Sequence, residues 1–366
     1  MRILYSSLII ASLSAPAFAN TPAPLKFSSY IDGSANYLSR SNHFISGAHD
    51  RVNDIEPNGF TLQQAGATLA WQPEQGLGGL VNVLAGRDAL NLAPYGWDIT
   101  TSIQNIGIAV MQTYVQYTKS SFSTRVGEFD SLAGYEHYNP VGDNNFSRSI
   151  ISGYAEPGTF LGIRETYAPN TALSISAGLN DGWDTIEDLT RRATLELGVV
   201  YTVNPQFAFS LQAFNGQQRA TDGVTSGPTG IRNAIDLIAT YHATEKLTYV
   251  VNYDYGIQNR AALPHGILGT AMWQGAAGYM NYTLNERWQT SFRAEIFSDP
   301  NGFRTGVQQV WKEATITLMY LPTKQLTIRA ETRRDLSNVN SFLDKNGHGV
   351  GNNLQSFGLE VLYVFC

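Results

Sequence analysis

The sequence predicts an all-β protein, a transmembrane antiparallel up-and-down β-barrel of about sixteen strands, and three observations carry that prediction. Apolar and polar residues alternate with a period of two in segments that recur along nearly the whole chain. The connections between those segments switch regularly between short and long. Aromatic residues gather beside the short connections.

At the N-terminus Arg2 precedes an apolar run from Ile3 to Ile10, and small residues lead to Ala17-Phe18-Ala19 before Asn20. This is the charged, apolar and A-x-A order of a secretory signal peptide. Residues 1–19 therefore read as a leader, and 20–366 as a single barrel domain. Beyond the leader no stretch approaches the roughly 20 consecutive apolar residues of a spanning helix, which excludes a helical membrane protein. Export without a helical anchor leaves the periplasm, the exterior or the outer membrane of a Gram-negative cell. Charged residues make up 15% of the chain, against roughly 25% in soluble domains, which suits two wet ends and a lipid-facing waist. A net charge of -6, more negative still without Arg2, argues against a general affinity for nucleic acid. The only cysteine is Cys366, so no internal disulfide can form.

The alternation assigns faces. Leu173, Ile175, Ala177 and Leu179 alternate with Ser174, Ser176 and Gly178; Leu195, Leu197, Val199 and Tyr201 alternate with Thr194, Glu196 and Thr202; Tyr249, Val251, Tyr253 and Tyr255 alternate with Asn252 and Asp254. Such parity puts one set of side chains on each face of a sheet. The segments fall near 27–37, 60–71, 79–87, 104–117, 122–129, 159–167, 172–180, 192–202, 206–214, 233–242, 246–256, 270–282, 288–297, 309–320, 325–334 and 354–365. Their typical length of roughly ten residues lets a tilted strand cross a bilayer. The second, fourth and twelfth alternate least cleanly.

Short connections include 72–76, 119–121, 168–170, 204–205, 243–245, 284–287 and 321–324, and between them lie long polar stretches such as 38–59, 130–158, 215–232 and 335–353. Short periplasmic turns with long extracellular loops are the pattern of outer-membrane barrels; both chain ends then lie in the periplasm. Trp71, Tyr117, Phe122, Tyr167, Tyr201, Phe207, Tyr241, Tyr282, Trp288 and Tyr320 flank the short turns, as an interfacial aromatic belt requires. In the last segment Phe357, Leu359, Val361, Tyr363 and Phe365 share one face and Ser356, Gly358 and Glu360 the other. It resembles the C-terminal signature of bacterial outer-membrane proteins, which implies recognition by the barrel-assembly machinery; Cys366 departs from that pattern by making the aromatic penultimate.

Three further motifs lie in the middle third: Asn144-Asn145-Phe146-Ser147-Arg148-Ser149, Pro157 with Gly162, and Asn180-Asp181-Gly182-Trp183-Asp184. Through them the chain resembles the OmpL-like β-barrel porins. The resemblance implies a pore-type barrel and brings no catalytic residues.

A ring of about sixteen strands is too wide for side chains alone to fill, so an aqueous channel for passive diffusion of small polar solutes or ions is expected inside. With the apolar parity facing outer-membrane lipid, Asp32, Arg125, Arg164, Glu196, Asp236, Asp254, Arg293, Glu295, Arg329, Glu331, Arg333 and Glu360 face that interior. Charges stacked along one wall, such as Arg293 with Glu295 and Arg329 with Glu331 and Arg333, suit either a transverse field that selects solutes or a network that braces the barrel. The longest loop, 130–158, carries Asp130, Glu136, His137, Asp143, Arg148 and Glu156. Loops of this length are commonly functional, and an inward fold would constrict the channel.

Two other classes compete with a channel. An enzyme barrel needs a nucleophile with a positioned base; among His43, His49, His137, His242, His265 and His348, only His137 has Asp143 and Ser147 nearby. No cofactor is implied. No paired His or Cys spacing suggests a metal site, although Asp143, Asn144, Asn145 and Asp344 carry oxygens of the kind calcium takes. A non-conducting surface barrel that binds through its loops is the second class. Lipid-facing and subunit-facing apolar surfaces look alike here, which leaves open a monomer or a homo-oligomer.

Overall fold

The computed structural model describes residues 24–40, 51, 58–96, 106–222, 224–343 and 350–365. The expected leader 1–19, Asn20, His43, His49, Asp344, His348 and Cys366 lie outside these residues.

Sixteen strands close into one antiparallel barrel. In chain order they are β1 (Lys26–Leu38), β2 (Asn58–Trp71), β3 (Gly76–Gly86), β4 (Gly107–Lys119), β5 (Phe122–Asp130), β6 (Thr159–Tyr167), β7 (Leu173–Asn180), β8 (Thr194–Asn204), β9 (Phe207–Arg219), β10 (Thr229–His242), β11 (Leu247–Leu263), β12 (Ile267–Thr283), β13 (Trp288–Asp299), β14 (Gln309–Tyr320), β15 (Leu326–Ser337) and, after a small ribbon of β16 (Phe342–Leu343) and β17 (Val350–Gly351), β18 (Asn353–Phe365). Every predicted segment is a strand. Two short helices, α1 (Ala89–Leu92) and α2 (Ile150–Tyr154), sit in loops. No helix among the described residues is long and apolar enough to cross a membrane.

Closure is physically required. A sheet edge in hydrocarbon leaves N–H and C=O groups unpaired at several kcal/mol each, and β1 removes both edges by pairing with β18 from Ser29↔Phe365 to Leu38↔Ser356. Strand parity follows the sequence: Phe357, Leu359, Val361, Tyr363 and Phe365 are exposed on the outer face, whereas Glu360 is buried on the inner face. Outward rings at the turn end pair across strands, Phe122 with Tyr167 at 4.7 Å and Trp288 with Tyr320 at 4.6 Å between centroids.

The three blurred segments now have causes. The register of β2 against β1 skips Gln63, and that of β4 against β3 skips Met111, so each strand carries a bulge that shifts its parity midway. In β12 the inner face itself is apolar, with Ala271, Trp273, Ala277 and Tyr279 buried inside the barrel. Two expected long loops are partly strand. The stretch 215–232 shrinks to 220–228 between β9 and β10, and β11 and β12 continue past their predicted ends to a 3-10 turn, Pro264–Gly266, that contains His265.

Candidate functional site

The inner face is not uniformly wet. Towards the turn end, inward side chains such as Thr202, Ser210, Thr240 and Thr248 remain half-exposed. Towards the loop end the lumen is occupied. Segment 131–158, which joins β5 to β6, lies inside the barrel. Its Ile150, Ile151, Tyr154 and Ala155 are buried with Phe129, Phe160, Trp183, Phe214, Trp273, Tyr279, Phe297 and Trp311 in one apolar cluster. A core inside a pore-sized barrel explains why inward positions of β12 and β14 carry tryptophan.

Residues 140–151 of the segment are held through their backbone by the charges of β13 and β15. Arg329 Nη2 donates to the carbonyls of Pro140 and Asp143, both at 2.7 Å. Arg293 Nη1 donates to the Ser147 carbonyl at 2.6 Å, and Arg333 Nη1 to that of Arg148 at 2.5 Å. Glu331 accepts the N–H groups of Phe146 at 2.8 Å and Ser147 at 3.1 Å, while Glu295 accepts those of Ile150 at 2.6 Å and Ile151 at 3.2 Å. Alternating cations and anions on the wall thus match alternating carbonyls and N–H groups on the segment. Charge-assisted bonds of this kind are the strong ones, and they satisfy buried backbone groups that water does not reach.

Shape reinforces the fit. A Cβ on Gly358 would lie 2.7 Å from the Phe146 ring, and one on Gly275 would lie 2.3 Å from Ile151 Cγ2. These two inner-face glycines are the recesses into which the segment's apolar side chains sink.

Of the residues predicted to face the interior, Arg293, Glu295, Arg329, Glu331 and Arg333 grip the segment, and Glu360 completes the set by accepting from Arg329 at 2.6 Å. Arg164 forms a separate buried pair with Glu196 at 2.7 Å, its guanidinium 4.2 Å from the Phe129 ring centroid. Asp236 and Asp254 lie opposite each other on β10 and β11. Arg125 stands apart from these networks, half-buried, donating to Gln116 at 2.9 Å. Asp32 is buried on β1.

Within the segment Glu136 pairs with Arg293 at 2.6 Å and accepts the Ser149 N–H at 2.6 Å. Burial works to raise its carboxyl, but Arg293, the Ser149 N–H and Arg148 outweigh that and hold it below the ordinary glutamate value. Asp143 lies 3.5 Å from Arg148; burial nonetheless lifts its carboxyl above the usual aspartate value. Glu156 is raised well above its ordinary value by burial, with Asp254 and Asp236 adding to the effect. Asp130 departs from the group, since its carboxylate is exposed and takes Gln112 at 2.6 Å.

The His137, Asp143 and Ser147 neighbourhood does not form a nucleophile and base. Asp143 accepts the backbone N–H of His137 at 3.0 Å, His137 itself is exposed, and the buried Ser147 hydroxyl accepts from Arg293 at 3.1 Å. Nor do Asp143, Asn144 and Asn145 turn their oxygens to a common point: Asn145 bonds Thr317 and Ser291, and Asn144 donates to Tyr135.

Several members of the network escaped sequence reasoning. Glu313, 2.7 Å from Arg293, and Asp335, 2.7 Å from Arg333, both lie on the inward parity of their strands, so that alternation would have found them. Arg51, which bonds Asp335 and donates to Ser356 at 2.9 Å, comes from a loop with no periodicity to follow.

A closed sixteen-strand barrel with a polar inner face and a loop folded into it defines a porin-type barrel. The sequence profile of the family described as "Putative beta-barrel porin-2, OmpL-like" matches residues 24–365, and the chain belongs to that family. Its three sequence motifs are parts of one assembly: Asn144 to Ser149 is the gripped stretch, and Asp184 accepts the N–H groups of Gly158 and Thr159 at 2.7 and 3.0 Å, beside Pro157. Among solved structures the fold is similar to the outer membrane channel DcaP of Acinetobacter baumannii (TM-score 0.61, 12% identity, 96% of this chain and 100% of that one). It is also similar to the anion-selective porin of Comamonas acidovorans (0.62, 11%, 93% and 99%) and to the trimer form of OmpT of Vibrio cholerae (0.59, 11%, 94% and 100%). No curated protein matches the sequence. Family and fold point to a channel rather than an enzyme.

Proposed function

We propose that this chain is an outer-membrane porin, exported by its N-terminal leader, that passes small hydrophilic solutes or ions by passive diffusion past a constriction made by segment 131–158. The observation that carries the reading is the gripping of that segment's backbone by Arg293, Glu295, Arg329, Glu331 and Arg333. A loop fixed at this many points narrows a lumen permanently. The same observation favours bracing over a selecting field as the work of these wall charges, because each is engaged by backbone groups of the segment at hydrogen-bond distance. Residues that line the remaining passage, His137 on the segment and Arg125 towards the turn end, then meet the solute. The trimer form of OmpT makes a homo-oligomer the natural assembly to test, with the outer face shared between lipid and a second copy.

Single-channel recording of the refolded full chain in planar bilayers tests this directly. Stepwise ion currents are expected, and ion substitution would report the preferred sign. A silent bilayer, with the folded barrel shown to be inserted, would overturn the channel and leave a surface-binding barrel.

A further inference from the structure

Three carboxylates converge where segment 131–158 returns to the wall. Asp236 on β10 and Asp254 on β11 are directly opposite in register, an arrangement in which like charges repel. Glu156, two residues beyond α2, joins them, so that one oxygen from each of the three lies within 4.8 Å of the other two. All three are buried, Glu156 with 8% of its surface exposed and Asp236 and Asp254 with 1% each. Such a group must be neutralised, because isolated buried charges are among the costliest things a protein can hold.

The surrounding protein does not do it. No ion pair among the described residues reaches any of the three: Arg232, near Asp236 along β10, pairs with Asp222 at 2.6 Å, and Arg293 is shared by Glu313 and Glu136. Asn252 gives its amide to Asp236 at 2.6 Å and to Asp254 at 3.2 Å, and the Gly134 N–H also faces Asp236. That leaves Glu156 Oε2 and Asp236 Oδ1, each on a side chain more than nine-tenths buried, without any hydrogen-bond partner. Arg293, Glu295, Arg329, Glu331 and Arg333, by contrast, each bond a protein atom. Here two buried carboxylate oxygens are left over within a cluster of three acids.

We propose that Glu156, Asp236 and Asp254 form a calcium site that pins the end of the inward segment to β10 and β11. Oxygen-only, carboxylate-rich donors select a hard divalent ion over the borderline metals that prefer nitrogen or sulfur. Calcium sits about 2.3–2.6 Å from its oxygens and tolerates irregular geometry, so three oxygens within 4.8 Å of one another can share one ion. The site lies beside the arginine-rich wall, with β12 alone between β11 and β13. One flank of the segment is then held by arginines and the other by a metal.

The test uses the full chain refolded in detergent, stripped with chelator and titrated with calcium by calorimetry, with terbium luminescence as a second readout. One calcium per chain is expected, and Glu156→Gln should weaken binding by more than the about 10–100-fold that follows loss of an outer-sphere hydrogen-bond partner of a metal ligand. Asp254→Asn should do the same, which keeps the test decisive if one variant fails to fold. Calcium should also raise the melting temperature of the wild type and leave that of a folded variant unmoved. Absence of binding in the wild type, with the infrared band of protonated carboxyls present at neutral pH and diminished in Glu156→Gln, would overturn the proposal in favour of bound protons. Binding undiminished in both variants would overturn it by placing the ion elsewhere. None of these readouts depends on conductance, so the channel reading and the calcium site fail separately.

Discussion

Replacing Glu331 with Gln changes one oxygen of a buried carboxylate into an amide that can only donate. Glu331 Oε2 accepts from the Phe146 N–H at 2.8 Å and from Thr317 Oγ1 at 2.7 Å, and Oε1 accepts from the Ser147 N–H at 3.1 Å. A glutamine can serve one of these two sides. On the other, an N–H of the segment faces an NH₂ group, so a charge-assisted bond of about 1.5–3 kcal/mol is lost and a buried donor is left unsatisfied at about 1–3 kcal/mol. Allowing for local relaxation, about 2–4 kcal/mol of anchoring should disappear. At about 1.4 kcal/mol per factor of ten, the local opening equilibrium of the segment rises roughly 30- to 1000-fold. Native-state hydrogen exchange of the Phe146 and Ser147 amides reads this out, since local openings have their own free energies. Protection at those two amides should fall by that factor while the strands of β7 to β10 keep theirs. Unchanged protection at Phe146 and Ser147 would show that the segment is not held by this carboxylate, and a uniform loss across the barrel would show that Glu331 supports the sheet instead.

Gly275→Ala places a methyl group against Ile151 and should destabilise the segment by about 1–3 kcal/mol through overpacking; Ile151→Ala in the same chain should recover most of it, as a double-mutant cycle on thermal unfolding would report. Glu136 is held below its ordinary value, so its stabilising contribution is complete above about pH 4.3, the unfolded glutamate value, and is lost as the pH falls through the lower folded value; exchange protection of the Ser149 amide should collapse only below that pH. Leu237→Arg on the outer face of β10 should cost about 2–4 kcal/mol of folding stability in lipid vesicles if it lies near the bilayer midplane, whereas Thr248→Arg on the inner face of β11 should be tolerated; equal effects would contradict the assignment of faces.

The sequence revealed most where a physical constraint repeats. Every strand must present one face to lipid, so parity located all sixteen and put Arg293, Glu295, Arg329, Glu331 and Arg333 on the inner side. Turn lengths and the aromatic belt repeat for the same reason. Bulges do not repeat: the extra residues Gln63 and Met111 each reverse the pattern once, and alternation alone cannot separate a reversal from noise. The partners of the wall charges were hidden for a different reason. They are backbone carbonyls and N–H groups of residues 140–151, and any residue type can supply those. Apolar side chains inside the lumen, Trp273 and Trp311 among them, ran against a rule that expects water there, because that rule holds only where no loop fills the space. The like-charged pair of Asp236 and Asp254 was legible in principle, since counting outwards from the tight turn at 243–246 sets them face to face, whereas Glu156 reaches them only through the fold of the loop.

The grip on segment 131–158 also orders events in time. The segment is synthesised directly after β5, yet the charges that grip residues 140–151 belong to β13 and β15, among the last strands to be made. Until those strands arrive, Ile150, Ile151 and Tyr154 have no seat. A nascent or unclosed barrel therefore carries a loose, greasy tether through its middle, and zipping the final strand to the first is what stows it away.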